Sequence, residues 1–291
     1  MVVWDPPIRD YQFLYHELLP AIETVQRLGY TDFNADFLDS LIEGWATHCE
    51  EVWLPINQVG DREGLKFEDG KITMPQEFKD AYRQGIDEGW LSTTCKPEHG
   101  GMGVPLFFQA VTWAEFGTSA CMALSVLPAL SIGVYEVLVK HGRQDLIDHF
   151  ATNLASGIWS GTMCLTEPHS GTDLGIIETK AIPQEDGSYR ISGSKCFITY
   201  GEHDMGENIV HLVLAKAPGG GEGTRGISLF LVPKFLPEDW KSGGLDGISH
   251  SLSSEHNGVI CSGTEEKMGL HASPTCVMSF EQSTGWLVGP L

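Results

Sequence analysis

Apolar side chains recur every three or four positions through most of the first 156 residues, and this spacing places them on one face of an α-helix. Gly29 ends the first apolar stripe, and Pro55 is expected to end the second because proline lacks a backbone donor. The glycine-rich stretch 97–103 predicts a turn with unusual backbone angles. The pattern predicts six helices, at residues 9–28, 34–53, 76–89, 106–115, 130–141 and 143–155.

From about Gly157 onward the pattern changes to short alternating runs rich in β-branched and aromatic residues. These runs lie at residues 158–165, 188–200, 209–215, 226–233, 258–262 and 276–280. Turns rather than helices join them, so an antiparallel β-barrel or sandwich is expected. The predicted fold class is α+β, with an all-α N-terminal domain followed by an antiparallel β domain and a boundary near residue 156.

The formal net charge is −21, from 39 acidic and 18 basic residues. Binding to nucleic acid requires clustered Lys and Arg, and so does adsorption to anionic lipid. The longest apolar run, residues 120–130, contains Ser125 and Pro128 and is shorter than a bilayer-spanning helix requires. Neither a nucleic-acid partner nor a membrane is therefore expected.

Seven cysteines are scattered along the chain without a CxxC pair. This odd, dispersed set is typical of free thiols in a reducing compartment, and no signal peptide is recognisable, so we expect a cytoplasmic protein. The sequence also lacks GxxxxGK[ST], GxSxG and HExxH motifs. No phosphate loop, serine-hydrolase nucleophile or metal site is predicted.

The segment Thr166–Asp173 follows directly on a predicted strand. Its hydroxyls, glycine and backbone N–H groups could bind a planar ligand rich in hydrogen-bond acceptors. A tight turn capped by Thr and Asp explains the same residues equally well. The residues of this segment alone leave both interpretations open.

Five ordered segments resemble the acyl-CoA dehydrogenase family. Residues 163–174 (MCLTEPHSGTDL) resemble its flavin-binding signature, whose core is TEP-x-x-G-[ST]-D. The other four are the turn at 97–103 (PEHGGMG), the strand at 192–199 (SGSKCFIT), residues 223–233 (GTRGISLFLVP) and residues 266–275 (EKMGLHASPT). Together they extend over nearly two hundred residues, so chance agreement is excluded as their explanation.

The N-terminal segment 7–14 and the run 272–278 are similar to a branch with a longer N-terminus, which includes 3-(methylthio)propanoyl-CoA dehydrogenases. This resemblance implies a helical extension at residues 1–34, a helical domain at 35–156 and a β middle domain at 157–291. The family's C-terminal helical bundle has no counterpart in these residues.

The resemblance also implies a binding site for flavin adenine dinucleotide (FAD). Met163, Leu165 and Thr166 should line the flavin, and Phe197, Ile198 and Thr199 should flank its ring, with Thr199 near N5. Gly171 belongs to the signature, and Thr172 is expected to bind both the flavin phosphate and the CoA part of the substrate. Asp173 is expected to cap the turn. The residues implied as cofactor-binding are thus Met163, Leu165, Thr166, Gly171, Thr172, Phe197, Ile198 and Thr199.

The implied reaction is α,β-dehydrogenation of an acyl-CoA thioester, with an electron-transfer flavoprotein as the expected acceptor and a homo-oligomer as the expected full-length form. A base takes the α-proton while the β-hydrogen leaves as hydride to the flavin. In this family the base is a Glu of the C-terminal helical domain, so no catalytic residue is assigned in this chain. We expect the 291 residues alone to retain FAD weakly or not at all and to catalyse no dehydrogenation.

Two alternatives remain. The chain could be a catalytically inactive binding or scaffolding module that keeps the fold, or part of an acyl-CoA oxidase, which passes electrons to oxygen. The flavin-facing residues Thr166, Thr172, Phe197 and Thr199 favour the enzyme over the inactive module, because a module without catalysis has no need of them.

Overall fold

The computed structural model describes residues 4–238 and 252–291, so the predicted extension 1–34 begins with three residues outside the described ranges. The first half of the chain is helical, apart from one small hairpin. Its helices are α1 (Ile8–Gln12), α2 (Ala21–Arg27), α3 (Ala35–His48), α4 (Leu54–Glu63), α5 (Gln76–Asp87), α6 (Leu106–Phe108), α7 (Ala114–His141) and α8 (Gln144–Ser156).

The first two predicted helices are wrong in their ends. Residues 9–28 are divided, because α1 continues through a π-helical turn (Phe13–Leu18) and the chain then leaves helical geometry at Leu19, before α2. Pro55 does not end a helix, since it lies in the first turn of α4, where the N–H that proline lacks has no intrahelical partner. A π-helical turn (Cys49–Trp53) joins α3 to α4.

The predicted helices 106–115 and 130–141 are parts of one helix, Leu106–His141. It passes through a π-helical turn (Gln109–Trp113) and is kinked at Cys121 (φ −152°, ψ 87°). Among the described residues it is the one helix that is long and apolar enough to cross a membrane, judged by length and composition alone. However, 56% of its most apolar window is buried inside the protein, as in the core helix of a globular domain.

The structure contains more strands than the sequence pattern predicts. The sequence pattern misses the hairpin β1 (Lys66–Glu68) and β2 (Lys71–Thr73), and the short strands β4, β8 and β9. The β domain contains β3 (Trp159–Cys164), β4 (Lys180–Pro183), β5 (Tyr189–Thr199), β6 (Asn208–Lys216), β7 (Ile227–Pro233), β8 (Phe235–Pro237), β9 (Leu252–His256), β10 (Val259–Thr264) and β11 (Thr275–Val288).

The predicted barrel is present, but it is not wholly antiparallel. Strands β5, β4, β6, β7 and β11 pair in a closed ring, with β10 added beside β11 and β3 beside β6. β3 runs parallel to β6 over six residue pairs, and β4 touches β6 in parallel at Lys180 and Lys216. The expectation assumed that strands adjacent in sequence pair, whereas β3 pairs with the third strand after it.

The helical domain packs directly on the strand that leads to the predicted flavin loop. A Cβ atom on Gly161 of β3 would lie 2.6 Å from Cβ of Val134, so only glycine allows α7 to approach this closely. The Ser131 hydroxyl accepts the N–H of Gly161 at 3.0 Å. The last helix ends at Ser156 and β3 begins at Trp159, on either side of the residue where the sequence pattern changes.

In the turn 97–103, Gly100 and Gly103 have φ of 86° and 65°, as the sequence predicts.

Candidate functional site

The loop that follows β3 is fixed by its own hydrogen bonds. Glu167 and Ser170 exchange backbone hydrogen bonds of 2.8 and 3.0 Å, which closes a tight turn. The Ser170 hydroxyl donates to the carbonyl of Asp173, and the Asp173 carboxylate accepts the N–H of Gly175 at 3.0 Å. Asp173 thus caps the short helical turn Leu174–Ile176, the capping role expected from sequence.

Strand β5 carries a bulge where the flavin-flanking residues were expected. Ile198 pairs with Cys276 and Lys195 with Met278, so Cys196 and Phe197 together face the single residue Val277. Phe197 has a φ of +59°, which is rare for a bulky side chain and costs about 1–3 kcal/mol. The bulge turns its ring outward, and 62% of the residue is exposed.

The loop and the bulge lie side by side. The N–H of Cys196 donates to the carbonyl of Thr166 at 2.9 Å. A Cβ atom on Gly171 would lie 3.5 Å from Cγ2 of Thr166, so the loop returns towards its own start. Thr199 at the end of β5 pairs with Thr275 of β11. The structure therefore joins the two segments at adjacent residues, Thr166 and Cys196.

Three hydroxyls on the loop and on β5 have no partner in the part of the chain that the structure describes. Within residues 4–238 and 252–291, the side chains of Thr166, Thr172 and Thr199 make no hydrogen bond, and none of the three is buried. By contrast, the hydroxyls of Ser170 and Thr179 nearby are both bonded to protein atoms. Free hydroxyls beside an exposed aromatic ring fit a planar ligand that offers hydrogen-bond acceptors.

The remaining predicted residues differ in their orientation. Met163 and Leu165, at the end of β3, are half-buried. Ile198 is 2% exposed and its side chain packs into the core of the sheet, since the bulge directs Phe197 outward and Ile198 inward. The Ile198 carbonyl already accepts the N–H of Gly201 at 3.2 Å, and the assignment of Ile198 to the site remains a prediction.

Sequence reasoning missed an ion pair beneath the loop. Lys195 is fully buried, and its ammonium donates to the Glu167 carboxylate at 2.9 Å and to the carbonyl of Leu165 at 3.0 Å. Burial alone would raise the pKa of Glu167, but the N–H groups of Glu178 and Thr179, the Thr179 hydroxyl and Lys195 lower it to about 2. Glu167 lies in the segment 163–174 and Lys195 in the segment 192–199, but the sequence pattern does not show that the two are buried together.

The kink of α7 lies beside the end of β5. The Tyr200 hydroxyl donates to the carbonyl of Ala123 at 2.6 Å, two residues after the kink at Cys121. Met122 between them is 48% exposed. The exposed Met122 of α7 is thus next in sequence to Ala123, which is bonded to the residue that follows β5.

Glu167 cannot serve as a general base at this site. Its carboxylate accepts four hydrogen bonds, and its pKa of about 2 makes it a weak proton acceptor at neutral pH. The geometry thus assigns it a structural role, and no catalytic base is identified among the described residues.

Comparisons with known proteins agree with this geometry. The chain matches the family described as "Acyl-CoA dehydrogenase, N-terminal domain" at residues 57–158 and "Acyl-CoA dehydrogenase, middle domain" at residues 162–283. It is 40% identical over 290 residues to a 3-methylmercaptopropionyl-CoA dehydrogenase from Ruegeria pomeroyi, which covers 99% of this chain and 47% of the relative. This match confirms the resemblance to the branch with the longer N-terminus.

A butyryl-CoA dehydrogenase from Syntrophomonas wolfei is 33% identical over 291 residues, covering 97% of this chain and 46% of the relative. The structure of an acyl-CoA dehydrogenase from Bacillus anthracis complexed with FAD shares the fold, with a TM-score of 0.67, 22% identity and coverage of 90% of this chain and 38% of that one. The chain spans about half the length of the curated relatives it matches. It belongs to the acyl-CoA dehydrogenase family, of which it contains the N-terminal and middle domains.

Proposed function

We propose that this chain forms the flavin-binding side of an FAD-dependent acyl-CoA dehydrogenase, which introduces a double bond between the α- and β-carbons of an acyl-CoA thioester. The observation that carries the proposal is the exposed, strained Phe197 near the hydroxyls of Thr166, Thr172 and Thr199, which have no hydrogen-bond partner among the described residues. Strain of this kind persists where the surrounding structure imposes it, often at ligand sites.

The residues of the loop and of the bulge would hold the cofactor. Met163, Leu165, Thr166, Gly171 and Thr172 would bind it from the loop side, with Thr172 also available to the CoA moiety. From β5, Phe197 would provide an aromatic wall and Thr199 a hydroxyl donor, and Ile198 between them would anchor both residues in the core. FAD, when bound, supplies the acceptor for the hydride that leaves the β-carbon. The chain's own residues bind and orient it, and exclude water from one face.

The acyl chain would lie against the kinked part of α7. This part of α7 exposes Met122, and the Tyr200–Ala123 hydrogen bond joins it to the residue that follows β5. The base that removes the α-proton would come from outside these 291 residues, in a longer form of the protein or in a partner chain. If nothing supplies that base, the chain is the inactive binding module of the alternative hypothesis.

The names of the relatives guide the choice of substrate and partner. Two relatives are named butyryl-CoA dehydrogenase and 3-methylmercaptopropionyl-CoA dehydrogenase, so butyryl-CoA and 3-methylmercaptopropionyl-CoA are the first substrates to test. We further propose an electron-transfer flavoprotein as the acceptor, a homo-oligomer as the complete form and the cytoplasm as its location. The seven cysteines, all free and buried, are compatible with a reducing compartment.

A spectroscopic titration tests the proposal. The 291-residue chain is titrated with FAD, followed by flavin fluorescence, and then mixed with butyryl-CoA while the flavin absorbance is recorded. Because the loop and the bulge both form within this chain, the expectation of weak or no FAD retention narrows to weak but saturable binding, with no bleaching by this chain alone. The double variant Thr172→Val, Thr199→Val should weaken binding, whereas the control Phe13→Ala, which removes an exposed ring elsewhere, should not.

Two outcomes would contradict the proposal. Absence of saturable FAD binding would oppose the flavin site, and bleaching by the isolated chain would oppose the external base. To separate dehydrogenase from oxidase, the C-terminal half of the Ruegeria pomeroyi relative is added and hydrogen peroxide is measured. We expect bleaching without stoichiometric peroxide, and peroxide release would favour the oxidase.

A further inference from the structure

We propose that Glu167 and Lys195 are positioning residues, which hold the loop 165–173 and the Phe197 bulge in the one relative arrangement that a flavin can bind. The inference rests on the proposed function, since it concerns the same surface. Neither residue is expected to touch the cofactor. Both act through the segments that they join.

The bonds of the pair connect every segment of the site. Lys195 projects from β5, two residues before Phe197, and donates to the carbonyl of Leu165 and to Oε1 of Glu167. Glu167 also accepts the N–H groups of Glu178 and Thr179, at 2.7 and 3.1 Å, and the Thr179 hydroxyl at 2.6 Å. The pair thus bonds the end of β3, the loop and the segment before β4 to β5.

The backbone near the ion pair allows its hydrogen bonds to form. A Cβ atom on Gly193 would collide with Oγ1, Cα and Cβ of Thr179, so glycine at this position lets Thr179 reach Glu167. Burial lowers the pKa of Lys195, and the carboxylate of Glu167 opposes that change. A buried ion pair contributes little net stability compared with a well-packed apolar pair, but it demands one geometry. The Glu167–Lys195 pair therefore contributes a fixed relative position of the loop and β5 rather than net stability.

A second ion pair in the same domain offers a matched control. Lys234 donates to Glu202 at 2.6 Å, and their side chains are 14% and 5% exposed. This pair lies among residues of β8 and of the segment after β5, and it makes no hydrogen bond to the loop 165–173 within the described residues. Its removal should destabilise the fold without changing the flavin surface.

The test compares Lys195→Met, Thr179→Val and Lys234→Met in the full 291-residue chain. Thr179→Val keeps the volume, removes one hydrogen bond and serves if Lys195→Met does not fold. The first readout is amide hydrogen exchange of residues 165–176 without FAD, and the second is the dissociation constant for FAD of the folded protein. Because a lost buried hydrogen bond to a charged group changes an equilibrium by roughly tenfold, we expect about tenfold faster loop exchange and about tenfold weaker FAD binding in Lys195→Met. A smaller change in the same direction is expected in Thr179→Val.

Lys234→Met should lower the melting temperature but leave both readouts within about twofold of the wild type, since it breaks no bond of the loop. Equal loop exchange in all variants, or equal weakening of FAD binding by Lys234→Met, would overturn the inference. If the wild type binds no FAD, the proposed function fails, and the loop exchange still decides whether the pair positions the loop.

Discussion

Strands β5 and β11 carry two bulges, and the two bulges differ in how their strain is compensated. At the first, Phe197 (φ +59°) faces solvent, and within the described residues its ring contacts no other aromatic ring. At the second, Glu281 and Gln282 lie opposite Ser192. Gln282 (φ +55°) donates its side-chain amide to the Ser192 hydroxyl at 2.7 Å, and its carbonyl accepts from Arg190.

The two bulges therefore differ in whether contacts within the protein account for their backbone strain. At the Gln282 bulge, the side-chain amide and the main-chain carbonyl both have partners within the protein. The Phe197 bulge presents an apolar ring to water and is held from behind by the Glu167–Lys195 pair. Backbone strain without local compensation supports the proposal that the Phe197 bulge is a binding surface.

The largest expected effect concerns what holds the Phe197 bulge in place. Glu167→Gln removes the carboxylate that Lys195 and three other donors share, and it leaves a buried ammonium unpaired. The free energy of unfolding should fall by about 3 kcal/mol. Urea denaturation measures it, with Gln282→Ala as the control at the other bulge. A loss below about 1 kcal/mol would show that the pair does not fix the bulge.

The same carboxylate predicts a dependence of stability on pH. The pKa of Glu167 is lowered from its ordinary value to about 2 in the folded protein, so its contribution is complete above the unfolded value of 4.5. That contribution is lost as the pH falls from 4.5 towards 2. Wild type and Glu167→Gln should therefore converge in unfolding free energy across this window. Parallel curves would contradict the assignment.

A change of opposite sign is expected at Phe197 itself. Phe197→Gly removes the positive-φ strain and sacrifices little buried surface, so the unfolding free energy should rise by about 1 kcal/mol. Gln282→Gly also relieves strain but loses the bond to Ser192, so the two effects should nearly cancel. Thermal denaturation of both variants measures the contrast. Destabilisation by Phe197→Gly would mean that the ring packs better than its exposure indicates.

The smallest effects concern hydroxyl groups. Thr199→Val should change the unfolding free energy by less than about 0.5 kcal/mol, because the Thr199 hydroxyl has no protein partner in the described ranges. Ser192→Ala should cost about 0.5–1 kcal/mol, because it removes the partner of Gln282. Chemical denaturation of the two variants compares them directly. Equal costs would mean that Thr199 is bonded after all.

Much of this site could be predicted from the sequence. Thr166–Asp173 was recognisable because its hydroxyls and glycine follow a strand, and the family motif fixes their order. Asp173 was expected to cap a turn, and it does. Local residue types determine such features, because the bonds that form them join residues close in the chain.

The rest depends on contacts between distant residues. Glu167 and Lys195 are separated by 28 positions, and only folding buries them together. The bulge at Phe197 arises from the register of β5 against β11, which also turns Ile198 into the core. The sequence pattern predicts two separate helices at 106–115 and 130–141, whereas the folded chain continues one helix between them through Ser125 and Pro128.

The most direct test of the account compares the two bulges as ligand surfaces. FAD is titrated into the wild-type chain, Phe197→Ala and Gln282→Ala, with the folded fraction checked by circular dichroism. The loss of an aromatic stacking contact should weaken FAD binding about tenfold in Phe197→Ala, and Gln282→Ala should match the wild type. Equal affinity of all three proteins, or a larger loss in Gln282→Ala, would contradict the claim that the Phe197 bulge forms the flavin surface.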